Sequence, residues 1–219
     1  MSTEFPEIKW IESADNPWGV RLLDLRPVTL GMISTSADPQ CAENALSYAH
    51  DDGSSFVNMT PNSDRTVELS LRYRIEQPFA EGALFTPGCM EHKWAIFYRD
   101  GKILFVRSWT RELYAAADVK ISGDELEITR IKGDLVDRNE DAEYKRRVVD
   151  YMIRSHALDL VYPVPLTSAD EPPNYTAMWC FQGFGNRALV ATAEKIPYQV
   201  PEQALRTWGI GGSGDPVVG

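Results

Sequence analysis

Asp100-Gly101 lies between the apolar runs "WAIFYR" and "KILFVR", and no other dipeptide constrains the fold of this chain as tightly. Both central residues of a type I′ turn need positive φ, which Asp tolerates and Gly adopts freely, so the two runs read as strands of a tight hairpin. A two-residue turn also sets the register: Arg99 faces Lys102, Tyr98 faces Ile103, and the pairing continues outward. One face then carries His92, Trp94, Ile96 and Tyr98, followed by Ile103, Phe105, Arg107 and Trp109. The other carries Lys93, Ala95, Phe97 and Arg99, with Lys102, Leu104, Val106 and Ser108. Arg107 is thereby placed opposite Trp94 in a row of aromatics, with His92 facing Trp109.

The stretch "RTVELSLRYRI" shows the same period of two. Val67, Leu69, Leu71, Tyr73 and Ile75 fall on one face; Glu68, Ser70, Arg72, Arg74 and Glu76 fall on the other. This is the pattern of a half-buried antiparallel strand with a solvated charged face. Runs at 92–99, 102–109, 112–121 and 125–131 form a β-meander over 92–131, with Ser122-Gly123-Asp124 as its later turn.

Helical periodicity appears twice. In "DPQCAENALSYAH" (38–50), Asp38 can accept first-turn amides, Pro39 suits the first helical position and Gly53 lies past the end. Cys41, Ala45 and Tyr48 or Ala49 form its inner stripe. Residues 139–157 put Tyr144, Val148, Tyr151 and Met152 on one stripe, with Glu140, Asp141 and Glu143 early, where the helix dipole favours acids. The run Lys145-Arg146-Arg147 reads as a surface feature of that helix. Residues 18–34 read as strands either side of Pro27, 82–88 as a Gly/Pro break and 163–174 as a loop. "YTAMWCFQGFGNRALVATAEKI" reads as a final hairpin around Gly183-Phe184-Gly185-Asn186, and "PEQALRTW" as a short helix. Strands beside helices without βαβ alternation predict an α+β fold: a mainly antiparallel sheet packed with two amphipathic helices (38–50 and 139–157). A single domain is expected over 1–219, with flexible ends at 1–17 and 209–219.

Thirty-two acidic against 22 basic residues give a net charge of −10, a mean field that repels nucleic acid and anionic membranes. No run approaches the roughly 18 apolar residues of a membrane span. Met1 leads into Ser-Thr-Glu-Phe-Pro without a basic start or apolar run, so no secretory signal is expected. Cys41, Cys89 and Cys180 are odd in number and widely spaced, which predicts reduced thiols in the cytoplasm. "GIGGSG" (209–214) follows rather than opens a helix and lacks the Gly-Lys-Ser/Thr ending of a phosphate loop. Cys89-x-x-His92 has a zinc-like spacing without a second ligand pair. Neither a metal nor a cofactor is expected.

Two readings of Arg107 compete. In the first, its stem packs on the aromatics while its guanidinium pairs with a carboxylate from another element and fixes the layer above the sheet. In the second, Arg107, Trp94, Trp109 and His92 line a pocket: the guanidinium grips an anion in a bidentate fork and tryptophan stacks a planar ring. Lys93-Trp94, Phe97-Tyr98 and Arg107-Ser108-Trp109-Thr110 together resemble a hairpin pattern of uncharacterised bacterial proteins. The resemblance spans under a tenth of the chain and implies a recurring unit, with no activity and no residue roles attached. The function expected is a non-catalytic module that binds a small anionic or aromatic ligand at this face. One alternative is a cytosolic hydrolase or transferase with His92 as acid/base or Cys89 as nucleophile, and Arg107 fixing an anionic substrate. Another is a protein-interaction domain without a small-molecule site.

Overall fold

Asp100 and Gly101 have φ of 49° and 70° in the computed structural model, as a type I′ turn requires. The hairpin they close lies within the larger of two sheets. The structure describes residues 5–75, 80–136 and 141–197; the helix expected at 201–208 and the tail at 209–219 lie outside them, as do Glu76 and Glu140.

In chain order the elements are β1 (Trp10–Ile11), β2 (Leu22–Asp24), α1 (Arg26–Thr29), α2 (Pro39–Leu46), β3 (Thr66–Arg74), β4 (Gly82–Phe85), β5 (Trp94–Arg99), β6 (Lys102–Arg107), β7 (Glu112–Ser122), β8 (Glu125–Gly133), α3 (Ala142–Met152), β9 (Val164–Pro165), α4 (Pro173–Phe184) and β10 (Val190–Thr192). The large sheet is antiparallel throughout, in the order β3-β8-β7-β6-β5-β4. A smaller sheet runs β1-β2-β10-β9, with one parallel pair between β10 and β9. The fold is α+β with a mainly antiparallel sheet.

The predicted hairpin register holds from Arg99–Lys102 out to Trp94–Arg107. In β3, Leu69, Leu71 and Tyr73 are buried while Glu68, Ser70, Arg72 and Arg74 are exposed, with a bulge between Glu68 and Leu71. The Asp38 carboxylate accepts the Gln40 N–H at 2.9 Å to cap α2, and Tyr48, not Ala49, turns inward just after it. The Asp141 carboxylate likewise accepts the Tyr144 N–H at 2.7 Å, and all four stripe residues of α3 are buried.

Both faces of the hairpin are covered. Trp94, Ile96, Ile103 and Phe105 join a core with α3, α4 and the small sheet. Ala95, Phe97, Leu104 and Val106 pack against Tyr48 and Phe56.

Several expectations are corrected. The final hairpin is the helix α4, with only Val190–Thr192 extended after it. Pro172-Pro173 presets its first turn, and Ala177, Cys180, Phe181 and Phe184 are buried at i, i+3, i+4 and i+7; that period outweighs the strand preference of its aromatics. The Gly/Pro break contains β4, an edge strand that pairs with β5 through a bulge. Residues 1–17, expected as a flexible end, contain β1, paired with β2, and the Arg21 guanidinium lies 4.5 Å from the Trp10 ring centroid. Only the residues before Pro27 are extended; Pro27 itself sits in the first turn of α1, where its missing N–H costs nothing. The loop at 163–174 contains β9 and the start of α4.

Lys145 is no surface residue: it is 0% exposed, and its ammonium donates to the Asp134 carboxylate and, at 2.7 Å, to Gly133 O. Its place on α3 borders the apolar stripe, and a four-carbon stem reaches the end of β8 from there.

Candidate functional site

Arg107 donates to Gly183 O at 2.8 Å and Gln182 O at 2.6 Å, and Trp94 Nε1–H donates to Gly183 O at 2.8 Å. These carbonyls belong to the last turn of α4, where they have no partner within the helix and carry the negative end of its dipole. The guanidinium lies 5.1 Å from the Trp94 ring centroid, and burial lowers its pKa. Arg107 and Trp94 therefore tie the end of α4 to the hairpin. Carbonyls fill the role for which the sequence suggested a carboxylate.

The ladder ends at Trp94–Arg107, so strict alternation does not reach Trp109. Trp109 Nε1–H donates to Met90 O at 2.9 Å, and its ring centroid lies 4.0 Å from Lys93 Nζ. Lys93, on the hairpin face that also carries Ala95 and Phe97, is only 5% exposed. Its amine donates to Ser34 Oγ at 2.6 Å and Met90 O at 3.0 Å. Burial, and after it the Arg107 charge, push the Lys93 pKa down to about 8.

Between about pH 8 and the ordinary lysine pKa of about 10.4, the unfolded chain binds more protons than the folded one, so stability rises with pH across that window. For Lys93 the rise amounts to about 3 kcal/mol at most. Urea melts from pH 7.5 to 9.5 should show a rising midpoint in the wild type and a flatter profile in Lys93→Met; parallel profiles would contradict the assignment.

His92 Nδ1 accepts the Gly88 N–H at 3.0 Å, and its ring meets the edge of Phe85 at 5.2 Å. Burial and then the Arg187 charge lower its pKa. The Glu91 carboxylate accepts the Ser34 N–H at 2.7 Å. His156 is buried, with its ring 4.9 Å from that of Phe85. Among the described residues, no three His, Cys, Asp or Glu side chains converge as metal ligands.

A concave, charged site lies elsewhere. A cavity of about 730 Å³ opens between β3, α3, the 162–165 segment and residues 195–197. Glu143, Arg146, Arg147, Asp150 and Arg154 present one continuous side of α3 and of the wider helical turn that continues it, Ile153–Ala157. This spacing places them one above another along the helix.

Glu143 accepts both Arg146 Nε–H and Nη2–H at 2.9 Å. Asp150 accepts Arg154 Nε–H at 2.8 Å, the Tyr73 hydroxyl at 2.9 Å and the Tyr162 hydroxyl at 3.1 Å. Both carboxylates are thereby engaged. Arg147 is held differently: its acceptors are Leu166 O at 3.4 Å, Thr192 O at 3.1 Å and Glu194 O at 3.0 Å, all carbonyls. Burial lowers its pKa.

The lining carries Arg72, Arg146, Arg147, Arg154 and Lys195 against two carboxylates, on a chain of net charge −10. A second cavity, of about 840 Å³ beside Asn62, Arg111 and Asp134, has mixed charge, and its Arg111 is engaged by Asp51 at 2.5 Å. The residues around Arg147 were legible only as a basic run; the i, i+3, i+4, i+7 spacing of Glu143, Arg146, Arg147 and Asp150 is the signal that marks a charged helix face.

Comparison of the chain with protein-family models, curated proteins and solved structures finds no match.

Proposed function

We propose that this protein is a non-catalytic module that binds a small organic anion in the cavity between β3 and α3, with Arg147 as the anchor. One observation carries the reading: Arg147 lines a cavity with a surplus of cations, and its hydrogen-bond acceptors are carbonyls, so its charge awaits an anion. The three carbonyls also hold the guanidinium in place before a ligand arrives, which reduces the entropy lost on binding. A positive recess in an acidic surface concentrates small anions at its mouth. Both lining carboxylates, Glu143 and Asp150, are hydrogen-bonded to arginines, which favours binding over acid/base chemistry there. Arg107, the counterpart on the hairpin, already serves the end of α4.

Isothermal titration with phenyl phosphate, on the wild type and on Arg147→Gln, Lys195→Glu and Arg107→Gln, separates the two sites. Arg147→Gln should weaken binding by about tenfold or more, the loss of a charge-assisted hydrogen bond. Lys195 has 79% of its side chain exposed, so Lys195→Glu reverses a rim charge without disturbing the fold and should weaken binding several-fold. Arg107→Gln should lower the melting temperature and leave affinity unchanged. The reverse pattern, binding lost in Arg107→Gln and kept in Arg147→Gln, would return the ligand to the hairpin face.

A further inference from the structure

Resting on that reading, we infer that the anion is an aryl phosphate monoester, a flat aromatic body carrying a doubly charged phosphate. The charge follows from counting the wall. Arg72 is also engaged by Glu127 outside the cavity, Nε to Oε1 at 3.3 Å. Arg146 is matched by Glu143, and Arg154 by Asp150. Arg147 and Lys195 remain, the latter only at 3.9 Å from Glu143. Two cations in surplus suit a group that carries close to two negative charges at neutral pH, which a phosphate monoester does and a carboxylate does not. Its oxygens can also accept the guanidinium N–H groups that the three carbonyls leave over.

The body follows from the apolar part of the lining: Leu71, Tyr162, Pro163, Pro165, Ile196 and Pro197 lie in the same cavity as the cations. The Tyr162 ring is pinned, with its hydroxyl on Asp150 at 3.1 Å and the Arg154 guanidinium 5.0 Å from its centroid. Tyrosine and proline rings offer flat carbon surfaces that an aromatic ring covers with little loss of side-chain freedom. A volume of about 730 Å³ admits a ring and its phosphate together, within the range of small-molecule sites.

The test is a titration series with phenyl phosphate, inorganic phosphate, benzoate and benzyl alcohol on the wild type, Tyr162→Ala and Ile196→Ser. Phenyl phosphate should bind about tenfold or more tightly than inorganic phosphate, as expected for burying one face of a ring, and more tightly than benzoate; benzyl alcohol should not bind measurably. Either substitution should narrow the gap between phenyl and inorganic phosphate while inorganic phosphate binds as before. Ile196→Ser guards against a fold defect in Tyr162→Ala, which removes one of the donors to Asp150. Equal affinity for inorganic and phenyl phosphate overturns the aromatic assignment and leaves the anion site standing. Benzoate matching phenyl phosphate overturns the charge assignment alone. No binding by any of the anions overturns both this inference and the reading on which it rests.

Discussion

Asp134→Ala should destabilise the protein by about 3–5 kcal/mol, the usual cost of removing one partner from a buried ion pair. The effect is large because Lys145 is fully buried and its ammonium would be left facing Gly133 O without the carboxylate it now meets. Asp134 also accepts the Ser63 hydroxyl at 2.6 Å, and its backbone exchanges hydrogen bonds of 2.9 Å with the Asn62 side chain. In a chain of this size the loss corresponds to a fall in melting temperature of roughly 10 °C.

The double variant Asp134→Leu/Lys145→Met should recover most of that loss, because apolar groups of similar volume avoid the desolvation of both charges. Burial alone would raise the Asp134 pKa, but hydrogen bonds from Lys145 and Ser63, with the charges of Lys145 and Arg65, hold it below the ordinary carboxylate range. A depressed acid contributes stability that is present above its unfolded pKa of about 3.9 and lost as pH falls through the folded value. Acid melts below about pH 4 should therefore be shallower in the double variant. A loss under about 1 kcal/mol in Asp134→Ala would contradict the account of this pair.

Gly185→Ala is expected to cost more than about 4 kcal/mol, in the exceptional range for a point substitution. Gly185 has a φ of +69°, and a Cβ there would stand 1.6 Å from Glu91 O and 3.2 Å from Lys93 Cγ. The obstacle is backbone on both sides, since Asn186 N–H donates to that same carbonyl at 3.3 Å. Relief requires α4 to separate from the hairpin approach, which would also pull the helix end away from Arg107 and Trp94. Gly183→Ala, two residues earlier, is the control: its added Cβ meets nothing nearer than Val136 Cγ1 at 3.8 Å, so it should be neutral or stabilise by up to about 1 kcal/mol. Chemical denaturation of both variants measures the contrast, and equal stabilities would show that the close approach at Gly185 relaxes without cost.

What could be read from the chain alone was whatever local geometry enforces. Asp100-Gly101 dictates its own turn and hence the pairing of Trp94 with Arg107; the alternation at 66–75 and the stripe of Tyr144, Val148, Tyr151 and Met152 carry their periods openly. The segment 173–184 was misread because Trp179 and Phe181 favour strands on propensity, which hid the helical period of Ala177, Cys180, Phe181 and Phe184. Lys145 was misplaced because a lysine is assigned to solvent by type, and only a tertiary partner, Asp134, brings it inside. Arg107, to which the surrounding aromatics point, has as partners helix carbonyls from 75 and 76 residues away, and Arg147, one charge of a basic run in the sequence, lines the cavity beside α3.

In the proposed function the α3 arginine, and not the hairpin arginine, receives the ligand. A crystal grown with 4-bromophenyl phosphate distinguishes the two, because bromine's anomalous scattering locates the ring and the phosphate density locates the charge. Bromine should lie against Tyr162 and Pro163, with phosphate oxygens within hydrogen-bond distance of Arg147. Bromine against Trp94 or Trp109, with phosphate on an Arg107 released from Gln182 and Gly183, would contradict that reading.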